Sequence, residues 1–422
     1  MKIMVIGLGV IGTTYAYCFQ KAGHTVEHFI RDNKQAACPQ KIEIDLLDGR
    51  HSKKGIAKKD FYSVEISPSD SSYDFIFVSV SSGKLGSVIS ALQEKGITGT
   101  LVLFCGIWQD RNELDKILND WDSILAYPVA GGTLNQNRLE CVIFDHIMLE
   151  RREKAYISNY DSLLALLKSS EIEVECPYDM LEWIWLHMAI NAAVITTIAK
   201  YGKMDEISHS AETAMNSPRI LSEVVRAVRE TANIISSRGV QLKHYKNELL
   251  PYKIPAFVAG RVMCHMFRAN ELTRKIMLLH SNIDDLLYVC KNVYDCGMQN
   301  HIDAPIFYKN DETMYKKYPA CRTYLSKTDC LNPFGFTRDT EPFDTRKGKN
   351  PMVLPPVYPF EWRLFYVLFL RRTTRGAKRI KFNPFQKRIS NQLYRFRRHQ
   401  KNGVFLWQGF SKVGSSLELP RQ

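Results

Sequence analysis

A glycine pattern close to the N-terminus restricts the fold of this chain more than any other feature. Gly7, Gly9 and Gly12 form G-x-G-x-x-G between a strand-like run at residues 2–6 and a helix predicted for residues 13–21. In such a place the first glycine permits a tight turn, the second admits a pyrophosphate, and the third lets the helix pack on the strand. Free N–H groups at the helix N-terminus attract phosphate. The predicted cofactor contacts are Gly7, Leu8, Gly9, Val10, Ile11 and Gly12.

The second predicted strand, HTVEHFIRD, indicates which dinucleotide binds. An acidic residue at the end of this strand would accept hydrogen bonds from a ribose. Here the strand is predicted to end at Ile30, and Arg31 follows, which can pair with a 2′-phosphate. Glu27 is an alternative acid, but it stands early in the strand and we expect it to point elsewhere. The sequence therefore favours NADPH as the cofactor.

Strands and helices alternate over the first part of the chain. Tyr73–Ser82 and Gly99–Ile107 are apolar runs of strand length, and a helix is predicted between them at residues 88–95. This alternation is typical of a parallel sheet. The next run, ILAYPVAGGTL, is predicted to continue the sheet and to end in a glycine loop. We expect the strand ends near Ser81, Cys105 and Gly131–Gly132 to border the cofactor.

From about residue 154 the pattern becomes helical. One long helix is predicted to begin with Ser217 as its N-cap and Pro218 in its first turn, and to end at Gly239. We therefore predict an α/β protein with an N-terminal Rossmann dinucleotide-binding domain (1–150) and an all-helical substrate or dimerisation domain (151–308). A basic extension (309–422) follows. A cleft between the first two domains would admit a small-molecule substrate.

The helix predicted at EWIWLHMAINAAV carries a polar pair in an apolar run. His187 and Asn191 are four residues apart, so a helix places them on one face. One interpretation is a core histidine that hydrogen-bonds a neighbour. The other, which we prefer, is a wall of the interdomain cleft, with Trp183 and Trp185 as packing residues.

Four features that occur in this order resemble the ketopantoate reductase family. They are GLGVIG at the N-terminus, Arg31 after the second strand, LEWIWLHMAINAAV and GMQNHIDAPIF. The resemblance covers residues 1–308. It implies a reductase that converts a 2-oxo acid to a 2-hydroxy acid with NADPH. In that family a lysine on the first helix after the Rossmann domain is the general acid.

The resemblance also implies individual site residues. The family lysine falls at His187, and an asparagine four residues later is retained as Asn191. A cofactor-side asparagine falls at Cys105. A late glutamate that holds the substrate hydroxyl falls near Asp284 or Asp285, of which we choose Asp285. The implied site is therefore His187, Asn191 and Asp285 for catalysis, with Cys105 and Arg31 as further cofactor contacts.

These departures from the family leave two functions open. Histidine titrates near physiological pH and can donate a proton, so His187 could replace the lysine in a reductase of a 2-oxo acid or related carbonyl. A second family asparagine falls at Ile195, however, and the combined losses would suit an NADP-binding protein without turnover that uses its tail for localisation. We favour the reductase, and the helical domain could also form a homodimer.

Charge separates the tail from the rest of the chain. Residues 313–422 hold 23 Lys+Arg and 6 Asp+Glu, and residues 1–312 hold 34 and 38, so the net charge of +13 arises in the tail. A polybasic segment beside the apolar aromatic run at 360–370 could bind an anionic membrane or single-stranded nucleic acid. We favour a solvated extension without such a partner, and predict an extended linker at 309–360.

Cysteine content and apolar runs bear on the compartment. The ten cysteines include no CxxC pair, which argues against a zinc or disulfide scaffold and favours a reducing cytosol. No apolar run is expected to reach the roughly 18 residues of a membrane helix. No signal peptide is recognised at the N-terminus. We therefore expect a cytoplasmic protein.

Overall fold

The computed structural model describes residues 1–81, 83–203, 206–279 and 283–318. Of Ile283 and Asp284 it describes the backbone alone. The predictions for the tail beyond residue 318, including its membrane or nucleic-acid partner, therefore lie outside the described residues, as does the side chain of Asp284.

The strands of the described residues form two sheets. They are β1 (Lys2–Ile6), β2 (Thr25–Phe29), β3 (Lys41–Asp48), β4 (Ile56–Ser63), β5 (Ser72–Val78), β6 (Thr98–Leu103), β7 (Ser123–Tyr127), β8 (Ala130–Asn135), β9 (Arg138–Ile143), β10 (His146–Leu149) and β11 (Glu173–Glu175). The first sheet has the order β11-β10-β7-β6-β5-β1-β2, and the second has the order β4-β3-β9-β8. Strands β2, β1, β5, β6 and β7 run parallel, as predicted.

Helices cover the first sheet and make up most of the chain after it. They are α1 (Val10–Lys21), α2 (Asp32–Gln35), α3 (Leu85–Glu94), α4 (Arg111–Leu118), α5 (Tyr160–Ser169), α6 (Met180–Tyr201), α7 (Ile207–Met215), α8 (Pro218–Ser237), α9 (Lys246–Lys253), α10 (Ala256–Ala269), α11 (Glu271–Leu279), α12 (Ile283–Gln299) and α13 (Pro305–Lys317). The predicted fold class, a Rossmann-type α/β domain followed by helices, is confirmed.

Aromatic side chains hold α1 against the first sheet. Phe19 of α1 lies 4.8 Å from Phe77 of β5, and Tyr15 of α1 lies 4.9 Å from Phe104 at the end of β6, between ring centroids. All four rings are buried. Burial of such a side chain contributes about 1.5–3 kcal/mol. The start of α1, and with it the glycine loop, is therefore fixed relative to the strands.

The first sheet continues beyond residue 150. β10 is antiparallel to β7, and β11 is parallel to β10, so the sheet ends at Glu175. α5 packs into the same core through Tyr160, Leu163 and Leu166. The predicted boundary at residue 150 therefore falls between two strands of this sheet, and the long helices begin at α6.

The second sheet corrects the prediction for the run ILAYPVAGGTL. Its first half forms β7, but its second half forms β8 of the other sheet, so Gly131–Gly132 lie within a strand and the predicted glycine loop is wrong. A Cβ atom on Gly132 would lie 2.4 Å from the Glu140 carbonyl oxygen and 2.9 Å from Val10 Cγ1. Glycine is needed here because β8 passes close to β9 and to the start of α1.

The helical part extends past residue 308. Phe307 and Met314 of α13 are fully buried, and Asn310 Nδ2 donates to Thr197 Oγ1 of α6 at 3.1 Å. Lys317 donates to the carbonyl oxygen of Lys200, where its charge also stabilises the C-terminus of α6. The predicted extended linker is therefore wrong over residues 309–317, because this segment buries a helical face.

One described helix, α6, is long and apolar enough to cross a membrane, with a mean hydropathy of 1.3 over 18 residues. The expectation that no run reaches this length is therefore wrong. However, 61% of that window is buried inside the protein. Core helices of globular proteins meet the same criteria of length and composition, and α6 is hydrophobic nearly all round because other helices surround it.

Candidate active site

The turn after β1 requires glycine at its first position. Gly7 has φ +73°, in the left-handed region that glycine adopts without strain. Its N–H donates to the Phe29 carbonyl oxygen at 2.9 Å, and its own carbonyl oxygen accepts from His28 Nδ1 at 2.6 Å. Both backbone polar groups of Gly7 are thus bonded to the end of β2, which holds the turn in one conformation.

The second glycine leaves open space at the start of α1. The helix begins at Val10, three residues earlier than predicted, with Gly9 as an N-cap that provides no side-chain bond. The first intrahelical bond joins the Thr13 N–H to the Gly9 carbonyl oxygen at 2.9 Å, so the preceding N–H groups point out of the helix. A Cβ atom on Gly9 would meet nothing closer than the Ser79 carbonyl oxygen at 3.8 Å.

The third glycine allows close packing, and two buried hydroxyls lie beside it. A Cβ atom on Gly12 would lie 2.6 Å from Ser79 Oγ and 2.7 Å from Val5 Cγ1. Ser79 Oγ and Thr13 Oγ1 are buried without a hydrogen-bond partner among the described residues. Buried hydroxyls are normally paired. Together with the N-terminus of α1 and the space over Gly9, these groups fit the phosphates of a dinucleotide.

Arg31 stands at the carboxyl end of β2, as predicted, and its side chain is exposed. Among the described residues its guanidinium makes no hydrogen bond or ion pair. The two nearby acids are occupied: Asp32 pairs with Lys95 at 2.8 Å, and Glu27 accepts from the Tyr73 hydroxyl and pairs with Lys2. Arg31 is therefore a charged group at this strand end that is available to a ligand.

His28 fixes the glycine turn and was not predicted as a site residue. It is fully buried, and its Nε2 lies 2.7 Å from the Tyr62 hydroxyl of β4. Because a carbonyl oxygen only accepts, Nδ1 carries the proton toward Gly7, and Nε2 accepts from Tyr62. Burial lowers the pKa of His28 to about 4, so the ring is neutral. The second sheet is thereby bonded to the glycine loop.

His187 and Asn191 lie on a half-buried face of α6, and the rest of the helix is mostly buried. The His187 ring stacks on Trp183, with 5.0 Å between centroids and an interplanar angle of 11°. It also packs against the Tyr127 ring at the end of β7, with 4.7 Å between centroids and an interplanar angle of 61°. The Asn191 side chain has no hydrogen-bond partner among the described residues. Ile195, one turn further on, is also half-buried.

Two residues from other elements lie near the same strand ends. Cys105 follows β6 and is buried; burial raises the pKa of its thiol to about 12, and the Asp285 carboxylate adds to the rise. The same carboxylate acts on the phenol of Tyr127. Asp285 of α12 therefore stands close to the ends of β6 and β7. The structure brings Cys105, His187 and Asp285 together around Tyr127, which was not predicted.

An arginine between two tryptophans joins the helical part to the loop after β6. The Arg238 guanidinium lies 4.3 Å from the Trp108 ring and 4.2 Å from the Trp185 ring, and it donates to the Trp108 carbonyl oxygen. Cation–π contacts of desolvated arginine are worth about 2 kcal/mol. Trp185 is thus a packing residue, as expected. Trp183 is also buried, and its ring stacks on His187.

Comparison with known proteins supports the assignment of the N-terminal domain as a dinucleotide-binding domain. Residues 3–106 match the family model for Ketopantoate reductase PanE/ApbA. Over these residues the chain is similar to the ketopantoate reductase family. The match covers the glycine loop, Arg31 and Cys105, and ends before α6 with His187 and Asn191. No curated protein sequence matches the chain.

Solved structures share the fold at low sequence identity. D-mandelate dehydrogenase, in a ternary structure with NADH and anilino(oxo)acetate, has a TM-score of 0.56 and 11% identity, over 76% of this chain and 99% of that one. The 2-dehydropantoate 2-reductase from Geobacter metallireducens GS-15 has a TM-score of 0.52 and 11% identity, over 75% of this chain and 99% of that one. The ketopantoate reductase fold therefore extends into the helical part.

Proposed function

We propose that this protein is a nicotinamide-dependent reductase of a 2-oxo acid or a related carbonyl compound, and that its cofactor is NADPH. The observation that carries the proposal is the convergence at one sheet edge. The glycine loop, Arg31 and Cys105 follow parallel strands at their carboxyl ends, where open α/β sheets bind ligands. His187 of α6 packs on Tyr127 at the end of β7, Asn191 shares its helix face, and the Asp285 carboxylate acts on both Cys105 and Tyr127.

The cofactor preference rests on Arg31. The N–H groups at the start of α1 would hold the pyrophosphate, and the Arg31 guanidinium would pair with a 2′-phosphate. An acidic residue that could accept from a free 2′-hydroxyl is missing at the Arg31 position, and the neighbouring Asp32 is engaged by Lys95. NADH, as bound by D-mandelate dehydrogenase, would leave Arg31 without its anion.

The reaction joins one hydride and one proton to the carbonyl group. When bound, the reduced nicotinamide supplies the hydride to the carbonyl carbon. The His187 imidazolium would give its proton to the oxygen as the C=O π bond breaks, and solvent would then reprotonate the ring. The Asn191 amide would orient the substrate, and Asp285 would accept from its hydroxyl.

The test is a titration of the full-length protein with NADPH and with NADH, followed by cofactor fluorescence. We expect NADPH to bind more tightly, and Arg31→Gln to weaken NADPH by about tenfold to a hundredfold, since a charge-assisted hydrogen bond is worth about 1.5–3 kcal/mol. NADH affinity should hardly change. Lys53→Gln removes an exposed charge elsewhere and serves as the control.

Turnover separates the two functions that the sequence leaves open. The loaded protein is supplied with 2-oxo acids of different side chains, such as pyruvate and phenylglyoxylate, and oxidation of NADPH is followed by absorbance. Oxidation that decreases in His187→Gln supports the reductase. Tight NADPH binding without oxidation by any of these acids would instead show a nucleotide-binding protein, and failure to bind either cofactor would refute both.

A further inference from the structure

Tyr127 stands where its side chain can reach a ligand bound at the carboxyl edge of the first sheet. It is the last residue of β7. Leu103 of β6 pairs with Leu125 of the parallel strand β7, so two residues further along Tyr127 stands opposite Cys105. A dinucleotide lies across the carboxyl edge from the point where the strand order reverses, here between β1 and β5. The ends of β6 and β7 lie on the side away from Arg31 and β2, toward which the nicotinamide would extend.

The hydroxyl of Tyr127 differs from those of other tyrosines in this domain. Tyr15 accepts from the Val129 N–H at 3.2 Å, Tyr62 donates to His28, and Tyr160 donates to the Glu150 carbonyl oxygen at 2.9 Å. The Tyr127 hydroxyl makes no hydrogen bond among the described residues, and the side chain is only half-buried. A half-buried phenol of this kind has a hydrogen bond to give to a ligand.

The surroundings keep this phenol neutral. Burial raises the pKa of Tyr127 above its ordinary value, and the Asp285 carboxylate and the Cys105 thiol add to the rise. A neutral phenol in a low-dielectric site is a donor throughout the physiological range. The centroid of its ring lies 4.7 Å from that of His187, so the phenol and the imidazole stand side by side.

We propose that the Tyr127 hydroxyl donates a hydrogen bond to the carbonyl oxygen of the 2-oxo acid and stabilises the charge that develops there during reduction. This inference rests on the proposed reductase function. His187 would transfer the proton, and Tyr127 would hold the oxygen in place without losing its own proton. Donors aimed at a developing oxyanion are worth about 10²–10³-fold in kcat.

The test compares Tyr127→Phe with Tyr73→Phe in the full-length protein. Both changes remove one hydroxyl from the same sheet, but Tyr73 bonds Glu27 near the start of β5, far from the cleft. With NADPH and the best 2-oxo acid of the panel, we expect Tyr127→Phe to lower kcat by about tenfold to a thousandfold. NADPH affinity should stay within about twofold, and Tyr73→Phe should retain wild-type kcat.

A second readout does not depend on turnover. Oxamate and anilino(oxo)acetate carry the carbonyl and carboxylate of a 2-oxo acid, and their binding to the NADPH-loaded protein can be measured by calorimetry. We expect Tyr127→Phe to weaken both ligands by about threefold to tenfold, the value of one neutral hydrogen bond. Retention of wild-type kcat and affinity in Tyr127→Phe would overturn the inference alone. Wild-type protein that binds NADPH but neither reduces nor binds any of these compounds would overturn the proposed function and this inference with it.

Discussion

Replacing His28 with phenylalanine should destabilise the protein and weaken cofactor binding together. The change keeps a ring in a fully buried position but removes both ring nitrogens. It leaves two groups without their partner, the partly buried Gly7 carbonyl oxygen and the buried Tyr62 hydroxyl. Each unsatisfied buried group costs about 1–3 kcal/mol, so we expect the free energy of unfolding to fall by about 2–5 kcal/mol. Urea denaturation measures this loss.

A double-mutant cycle separates the hydrogen bonds from general effects of packing. Tyr62→Phe leaves only the His28 Nε2 lone pair unpaired, and His28→Phe with Tyr62→Phe leaves only the Gly7 carbonyl oxygen. The losses should therefore be non-additive by about 0.5–3 kcal/mol, with the double variant less destabilised than the sum. His24, which is partly exposed and bonds Ser169 at 2.8 Å, provides the control; His24→Phe should cost less than about 1 kcal/mol.

The same histidine predicts a pH dependence with a definite sign. Its pKa is about 4 in the folded protein and 6.5 in the unfolded chain, so only the unfolded chain binds the proton between these values. The stability contribution is complete above pH 6.5 and is lost as the pH falls toward 4, by about 3 kcal/mol. His28→Phe should lack this loss, so the stability difference between wild type and variant should shrink on acidification.

Either of two results would contradict this role of His28. A loss of less than 0.5 kcal/mol in His28→Phe at pH 7, about the size of an ordinary surface substitution, would show that the two hydrogen bonds contribute nothing measurable. Unchanged NADPH affinity in a destabilised but folded His28→Phe would show that the Gly7 turn holds its shape without the histidine.

Two further predictions concern the glycine loop and a buried carboxyl. Gly9→Ala should unfold at the wild-type urea concentration, because a Cβ there meets nothing within 3.4 Å, and should bind NADPH at least tenfold more weakly. Gly12→Ala should instead lower the free energy of unfolding by about 1–3 kcal/mol, because its Cβ would clash with Ser79 and Val5. The opposite ranking in stability would contradict both predictions. Burial raises the pKa of Glu248 to about 7, so its contribution to stability is present below pH 4.5 and is lost as the pH rises through 7. Glu248→Gln should therefore be more stable than wild type by about 1–3 kcal/mol at pH 8 and equal to it near pH 4, as measured by denaturation, and a constant difference across this range would exclude the titration.

Local rules explain why much of the fold could be predicted. The glycine loop follows from the conformations its residues can adopt, and Gly7 does have a positive φ. The long helix α8 has Ser217 as its N-cap, with the hydroxyl accepting from the Ile220 N–H at 3.3 Å, and Pro218 at its first position. Gly239, predicted as the stop, follows the helix with φ +105°. Each of these signals acts within four or five residues of chain.

The errors concern contacts between distant segments. β3 pairs in parallel with β9, about ninety residues later, as in the match of Asp45 with Glu140. Nothing in the local pattern of either strand specifies that partner, and so Gly131–Gly132 were assigned to a loop. Residues 309–317 are similar, because their helix is stabilised by Thr197 and by the carbonyl groups at the end of α6. Polar composition alone favoured a linker there.

The candidate site shows the same division. His187 and Asn191 could be chosen because a helix repeats every 3.6 residues, and the resemblance supplied Cys105 and Asp285. Tyr127 and His28 stand in apolar strands, where tyrosine and histidine are ordinary core residues, and only the structure shows which partners each has. For the same reason, carrying over the family's site residues misses Tyr127 and His28.

The polar groups of the candidate site come from several elements, and the chemistry depends on where they meet. The resemblance implies amide donors at the positions of Cys105 and Ile195, which this chain lacks, but the end of β7 contributes a tyrosine whose ring packs against His187. Reduction of a carbonyl needs a proton source and a fixed donor at one oxygen, from whichever elements they come. In the proposed reductase, His187 on α6 and Tyr127 on β7 would supply them, and because they belong to different elements they meet only where α6 packs on the sheet edge. The cation between Trp108 and Trp185 stabilises that packing, so Arg238 supports the site without touching the oxygen itself.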